Sequence, residues 1–429
     1  MLSILSLFFK EIMKGGGGAI LRLIIRANRE TKIGKNTRYS VIVTAVSILL
    51  YLSRSDHGNV CKIACRLIDK NESIGYYYLG LSKYLQGDYC CAEASLRALL
   101  DACPYHPDGT YLLAELLYKF QQVHEAWLLL EKLAQNSKRV KTLQIMSNFV
   151  DSLSDYNRLD RSVKLAIEQN RLSNNDRHIP RYLSNAALKI GDIKIAEEIW
   201  REQYRHRKRK KLRKKSLLPR MQTKPYFTDE MASRALLDLK VVLDKAGIQF
   251  FLISGTLLGC IRENKILAHD KDIDIGVWSD EGYDKVRTII ETSGCFYIAH
   301  SRRPDLLLMV RHVNGIAVDV FFHFREIDNY WHAGVKTRWR NSPFSLVHKS
   351  FLGGLYLVPE DYERYLTENY GDWKTPVKQF DSAIDTPNME VINRSEMIVY
   401  AYRKLLEVDE TKKVKYLNLL RSLNELDIY

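Results

Sequence analysis

The stretch Ser254-Gly255-Thr256-Leu257-Leu258-Gly259, then Arg262, then His269-Asp270-Lys271-Asp272-Ile273-Asp274-Ile275-Gly276, decides how the second half of the chain folds. Upstream, Thr228 is an N-cap, with Asp229 and Glu230 in the first helical turn. Leu236, Leu237, Leu239, Val242 and Leu243 form the apolar stripe of that helix, and Gly247 ends it. Ile248–Ile253 reads as a buried strand. Strand, glycine turn, short helix and second strand follow in order. Gly255 has no Cβ, so its backbone is able to approach a phosphate, and the N–H groups of the helix from Thr256 would face an anion. Asp272 and Asp274 alternate along a strand and share one face, about 7 Å apart. Asp270 shares that face, while Ile273 and Ile275 fill the core behind it. Two carboxylates so placed suit Mg2+, or Mn2+ in its place. A third comes from Asp319 in Gly315-Ile-Ala-Val-Asp-Val-Phe-Phe322. An acid amid so apolar a strand is costly unless it is paired or bound to metal.

This ordered set resembles the nucleotidyltransferase fold, and more narrowly the LicD/fukutin family of phosphotransferases, whose central motif is the run quoted above. A second signature follows at Val358-Pro359, Tyr365-Leu366 and Tyr370-Gly371-Asp372-Trp373-Lys374-Thr375-Pro376. The resemblance spans 229–378. Where family members often carry Trp-Asp-Asp-Asp, this chain has Ala268-His269-Asp270-Lys271-Asp272, with Lys271 expected to point away from the acidic face. The resemblance implies a metal-dependent transfer of a polyol-phosphate, sugar-phosphate or choline-phosphate from a CDP-linked donor to a glycan hydroxyl, releasing CMP. It places the metal on Asp272 and Asp274, with Asp270 as an outer ligand. Asp319 is either a third ligand or the base. Gly255, Thr256 and Arg262 are the donor-phosphate contacts, and Arg262 reads equally as an exposed helix arginine. His323 reads as a satisfied core histidine before a functional one, and Tyr370–Trp373 as packing before acceptor binding. For the acids themselves, the alternative is a set of buried ion pairs in an inactive relative.

The chain has 429 residues and a net charge of +14, which allows two or three domains; 46% hydrophobic content excludes wholesale disorder and collagen-like structure. The charge is uneven. Residues 225–429 hold 26 basic and 30 acidic side chains; residues 1–224 hold 39 and 21. Seven cysteines without a C-x-x-C pair read as buried free thiols, which fits a reducing cytosol. The N-terminus lacks the basic start and cleavage site of a signal peptide. Tyr39–Ser53 is uncharged but short of the roughly 20 residues a spanning helix needs, so a core helix is favoured. Residues 1–38 carry eight bases against Glu11 and Glu30, interleaved with Leu21, Leu23, Ile24 and Ile25. Two readings stand: a basic amphipathic helix on an anionic membrane, or a solvated tail.

Between these segments the chain repeats. Tyr76, Leu79, Gly80, Gly87-Asp88-Tyr89, Ala92, Leu96 and Pro104 are spaced like a tetratricopeptide repeat. Small residues recur at Ala92, Ala126, Ser162 and Ala196, at gaps of 34, 36 and 34, and Gly191-Asp192 repeats Gly87-Asp88. The third repeat lacks the turn glycine. The helix from Tyr39, a turn at His57-Gly58 and residues 59–72 make an irregular first hairpin. The expected architecture is therefore α + α/β. A basic segment, 1–38, precedes a tetratricopeptide-like α-solenoid of about five hairpins over 39–212. A basic linker over 205–224 leads to a LicD-like α+β domain over 225–429.

Nine of the eleven residues Arg205–Lys215 are Lys or Arg. That run reads as a linker, a nucleic-acid patch, or a site for anionic lipid or a phosphate-rich polymer. It contains no aromatic residue, so base stacking is not indicated. The expected partners are a CDP-linked donor, a glycan acceptor (capsule, teichoic-type or lipopolysaccharide), an anionic membrane surface at residues 1–38 and Arg205–Lys215, and a protein on the solenoid; nucleic acid is not expected. The expected location is cytoplasmic, peripheral to the inner membrane. The competing functions are a scaffold with a silent transferase domain and a nucleic-acid-directed nucleotidyltransferase.

Overall fold

Small residues about thirty-four positions apart let paired helices cross closely in four of the five hairpins among the described residues. The computed structural model describes residues 17–31, 39–137, 139–173, 176, 178–209, 228–268, 270–377, 380–408 and 410–425. Eleven helices precede the sheet among these residues. A single helix, α1 (Gly17–Glu30), comes first. The hairpins are α2 (Tyr39–Leu52) with α3 (His57–Asp69), α4 (Ile74–Leu85) with α5 (Tyr89–Ala102), α6 (Pro107–Lys119) with α7 (Val123–Asn136), α8 (Val140–Asn148) with α9 (Leu153–Glu168), and α10 (Ile179–Lys189) with α11 (Ile193–Arg209).

The spacing has a steric cause. A Cβ on Gly80 would lie 2.9 Å from Leu96 Cγ and 3.2 Å from the Ala92 carbonyl, so α4 and α5 touch there. Ala92, Ala126 and Ala196 are fully buried, and Ser162, in the degenerate repeat, is half-buried. Gly87 and Gly191 take positive φ (76° and 77°) at their turns. Asp88 and Asp192 then accept from the N–H groups of Cys91 and Ile195, capping the second helices.

The first hairpin differs from the sequence reading. His57 and Gly58 begin α3 instead of forming the turn. Ser55 (φ 58°) makes the reversal, and the Asp56 carboxylate caps α3 through the Asn59 N–H at 3.1 Å. The thiols differ too. All seven cysteines are free, but only Cys260 and Cys295 are buried, while Cys65, Cys90 and Cys91 are exposed. Their apolar-looking neighbours belong to the other faces of α3 and α5. Within 1–38, residues 17–31 are helix and turn with a buried end, which excludes a solvated tail for that part; 1–16 and 32–38 lie outside the described residues. Of Arg205–Lys215, the first five residues continue α11 and 210–215 lie outside the description, as does the linker to 224.

Thr228 caps α12 (Asp229–Lys245) by accepting from the Met231 N–H at 3.2 Å, and Gly247 (φ 71°) turns the chain into the sheet. The first strand, β1 (Phe250–Leu252), is shorter than expected. Helix α13 (Ser254–Arg262) leads to β2 (Asp272–Trp278), and α14 (Tyr283–Glu291) follows. Next come β3 (Phe296–Ala299), β4 (Leu307–His312), β5 (Ala317–Arg325), β6 (Tyr330–Ala333), β7 (Thr337–Asn341), β8 (Leu346–Phe351), β9 (Gly354–Pro359) and α15 (Tyr362–Tyr370). β2 runs parallel to β5 and antiparallel to β1; β1 runs parallel to β9. The mixed sheet includes the order β7-β6-β5-β2-β1-β9-β8, with β4 on β5 and β3 on β4. Its core is Phe251, Ile253, Ile273, Ile275, Val318, Val320 and their neighbours, all fully buried.

Two compact units draw on separated segments. One takes the described residues of Met1–Leu113, Thr223–Ala333 and Trp339–Asn388, so α1 to α5 share a unit with most of the sheet. Within it, His57 Nε2–H donates to the Gly294 carbonyl at 2.8 Å, and the Gly294 N–H donates to the Leu85 carbonyl at 2.9 Å. The other unit takes Ala114–Gln222, Gly334–Arg338 and Met389–Tyr429. Its C-terminal helices are α16 (Arg394–Glu407) and α17 (Glu410–Ser422). There Arg201 holds the buried Glu425 through two bonds of 2.7 and 2.9 Å, and Tyr402 donates to the same carboxylate at 3.2 Å.

Candidate active site

The period of a strand sets the acids in place. Ile273 and Ile275 are fully buried, so Asp272 and Asp274 emerge on the opposite face of β2. The parallel register pairs Asp274 with Asp319, which puts two carboxylates side by side on neighbouring strands. Asp270 sits just ahead of β2. All four line a single cavity of about 460 Å³.

The turn from β1 into α13 tightens this group. Ser254 takes φ 48°, a left-handed conformation that lets the chain reverse sharply. The next N–H, that of Gly255, then bonds the Asp274 carboxylate. The Asp274 N–H in turn donates to Thr256 Oγ1 at 2.8 Å. A Cβ on Gly255 would lie 3.0 Å from Asp270 Oδ2, so the glycine makes room for that acid. Gly255 lines the cavity. Thr256, 1% exposed, does not; its hydroxyl ties α13 to β2. Arg262 reaches the cavity as well. Its Nη1 donates to the Trp373 carbonyl at 3.1 Å and its Nη2 to Glu263 at 3.1 Å, while Nε is buried without a partner. This is a half-buried arginine at the site, not an exposed helix residue.

Crowding acids away from water disfavours their ionised forms. Burial, then Asp272, pushes the Asp270 carboxyl up to about 7. The same two causes bring Asp319 to about 7. Asp274 is held well above the usual carboxylate range by burial, then by Asp272 and Asp319. Asp272 is raised by burial, with Lys271 opposing. One oxygen of Asp270 is sealed from water with no hydrogen-bond partner.

Hard carboxylate oxygens and an orphaned Oδ2 are the donor chemistry that Mg2+ or Mn2+ takes. Among the described residues, no three His, Cys, Asp or Glu side chains already converge as a finished metal cage. The donor set thus fits a divalent cation in kind.

Beside the acids, the cavity wall is aromatic. His332, Trp339, Phe321 and Phe380 line it, and Tyr370 and Trp373 close the near side. His332 stacks on His323 at 4.4 Å and on Trp339 at 5.2 Å. His323 itself is 1% exposed and does not line the cavity; burial lowers it to about 3, so it is a neutral core residue. Sequence reasoning missed His332 and Trp339, which come from the β6–β7 hairpin and carry no motif. Tyr370–Trp373 was read as packing; the structure gives it both packing and cavity-lining roles. The cue was its place after the motif strands.

A family described as LicD/FKTN/FKRP, nucleotidyltransferase domain, matches residues 247–351, the segment that holds all seven candidate residues. The chain carries a LicD-type nucleotidyltransferase domain. Similar proteins include the ribitol-5-phosphate transferase FKTN of Homo sapiens, 29% identical over 170 residues, 37% of this chain and 37% of that protein. Its counterparts in Macaca fascicularis and Mus musculus are each 28% identical over 170 and 171 residues. The match spans little more than a third of those relatives. The LicD-type segment ends before Tyr370, so the aromatic near side of the cavity lies beyond it.

Proposed function

We propose that the LicD-type domain is a phosphotransferase. It moves a polyol-phosphate, sugar-phosphate or choline-phosphate from a CDP-linked donor to a hydroxyl of a surface glycan and releases CMP. The observation that carries this reading is the pairing of Asp274 with Asp319 beside Asp272 and Asp270 on the floor of one cavity. Asp272 and Asp274, with Asp319 and Asp270, would hold Mg2+ or Mn2+, whose chemistry is to offset the diphosphate charge.

The chain's own residues do the rest. Arg262, with an unpartnered Nε at the cavity, faces the donor phosphates. Gly255 and Thr256 act through geometry: the Gly255 N–H and the Thr256 hydroxyl hold Asp274 in place. Asp319 is either a further ligand or the base. As base, its ionised carboxylate takes the acceptor hydroxyl proton while that oxygen bonds phosphorus and the bond to CMP breaks. Without a cation, burial and Asp272 hold its carboxyl at about 7. The aromatic wall excludes water, which would otherwise compete as acceptor.

In the same reading the helical hairpins, tetratricopeptide-like in spacing, present a protein or glycan partner. The run Arg205–Lys215 meets an anionic surface, and the protein works at the cytoplasmic face of a membrane. No helix among the described residues is long and apolar enough to cross one.

The decisive measurement is CMP release from a panel of CDP-linked alcohols with Mg2+. Asp274→Asn is expected to lower turnover at least about a thousandfold with the fold intact. Undiminished release by that variant would sink the metal assignment. No release by the parent from any donor would favour the silent scaffold.

A further inference from the structure

Helix α1 is fixed in rotation by its inner edge. The Glu30 carboxylate, 1% exposed, accepts from Arg26 Nε at 2.7 Å and from the Tyr78 hydroxyl at 3.0 Å. Its main-chain carbonyl bonds His106 Nε2 at 2.7 Å, and Ala27 is fully buried. Arg29 pairs with Asp108 at 3.5 Å. A loose tail would have none of these.

The outer edge is apolar. Leu21, Ile24 and Ile25 are 57, 39 and 59% exposed. Their spacing of three and four sets them in one row, continued by exposed Asn28 and Arg29. Arg22 and the exposed Arg29 flank this row, Arg26 turns inward to Glu30, and that one acid of the helix is buried and paired. The sequence on either side adds Lys10, Lys14, Lys32, Lys35 and Arg38 against Glu11 alone. Three large aliphatic side chains held outward inside a cationic rim match a bilayer surface: apolar at the acyl boundary, anionic at the headgroups. Because Ala27 and Glu30 hold the inner edge against the helices beneath, only the outer edge meets a bilayer and the helix lies in its plane.

We propose that α1 is an in-plane membrane anchor: Leu21, Ile24 and Ile25 enter the headgroup–acyl boundary of a bilayer rich in anionic lipid, with Arg22 and Arg29 at the headgroups. This stands apart from the phosphotransfer reading, since α1 contributes nothing to the cavity.

The test is flotation of the full chain with phosphatidylcholine vesicles, with and without phosphatidylglycerol. The parent should float with the anionic vesicles, more weakly as salt rises, and scarcely with the neutral ones. Leu21→Glu with Ile25→Glu should weaken flotation by about tenfold or more while near-ultraviolet circular dichroism stays unchanged. Three outcomes overturn the anchor: no flotation of the parent, equal flotation of the double variant, or a parent dimer in sedimentation that the double variant dissolves. Equal binding to neutral vesicles overturns the anionic part.

Discussion

Asp270 is an acid with one oxygen cut off from water, next to Asp272 and in one cavity with Asp274 and Asp319. Its carboxyl and that of Asp319 titrate near 7 in the folded chain, against 3.8 for an unperturbed aspartate. Below pH 3.8 folded and unfolded chains both keep these protons, so neither group alters stability. Above it the unfolded chain releases them first, and stability falls until the folded carboxyls also ionise near 7. Without divalent cation, the unfolding temperature should therefore decline between about pH 4 and 7 and then level off. Asp270→Asn should be more stable than the parent by about 1–3 kcal/mol at pH 7.5 and nearly equal at pH 4. A flat profile for both would contradict the raised values. Thr256 offers a second check. Thr256→Val keeps the volume but strands the Asp274 N–H, which should cost about 1–3 kcal/mol and lower turnover by misplacing the carboxylate. Urea melts and CMP release together report both. The acids were legible because Asp and Ile alternate with the strand period. Thr256 was not, since its hydroxyl finds its role only when β2 comes to lie beside α13.

The hairpin turns show how an element tolerates a departure from its pattern. Gln121 stands 34 residues after Gly87 and adopts the same left-handed conformation, φ 62°, that Gly87 and Gly191 take. Glutamine is strained there, so Gln121→Gly should stabilise the protein by about 0.5–1 kcal/mol in urea denaturation. Destabilisation would mean that the glutamine side chain contributes more than the backbone loses. The repeat was readable from the spacing of small residues because close helix crossing demands them. The first turn was misplaced because Gly58 looks like a breaker, whereas the cap at Asp56 makes it the second residue of α3. The β6–β7 hairpin that brings His332 and Trp339 to the cavity left no trace in the pattern, since nothing local in those strands marks which face meets the acids.

At the level of the molecule, α1 to α5 are built into the same unit as the sheet. Ser55 Oγ bonds Cys295 at 3.2 Å, His57 joins Ser82 and Gly294, and the Gly87 turn closes on Thr292. A fragment of residues 225–429 should accordingly fail to give a cooperative thermal transition, while one of residues 17–429 should keep it. A sharp transition for the shorter piece would show that the sheet needs none of these helices. This unit takes its residues from three stretches, the last ending at Asn388. Synthesis runs from the N-terminus at roughly 5–20 residues per second, so the first hairpins leave the ribosome tens of seconds before their sheet partners exist. For that interval the faces of α3 and α4 destined for Gly294 and Cys295 have no native cover. Nascent chains stalled anywhere between the second hairpin and the last strand are thus natural clients for chaperones, and translation speed becomes a determinant of yield.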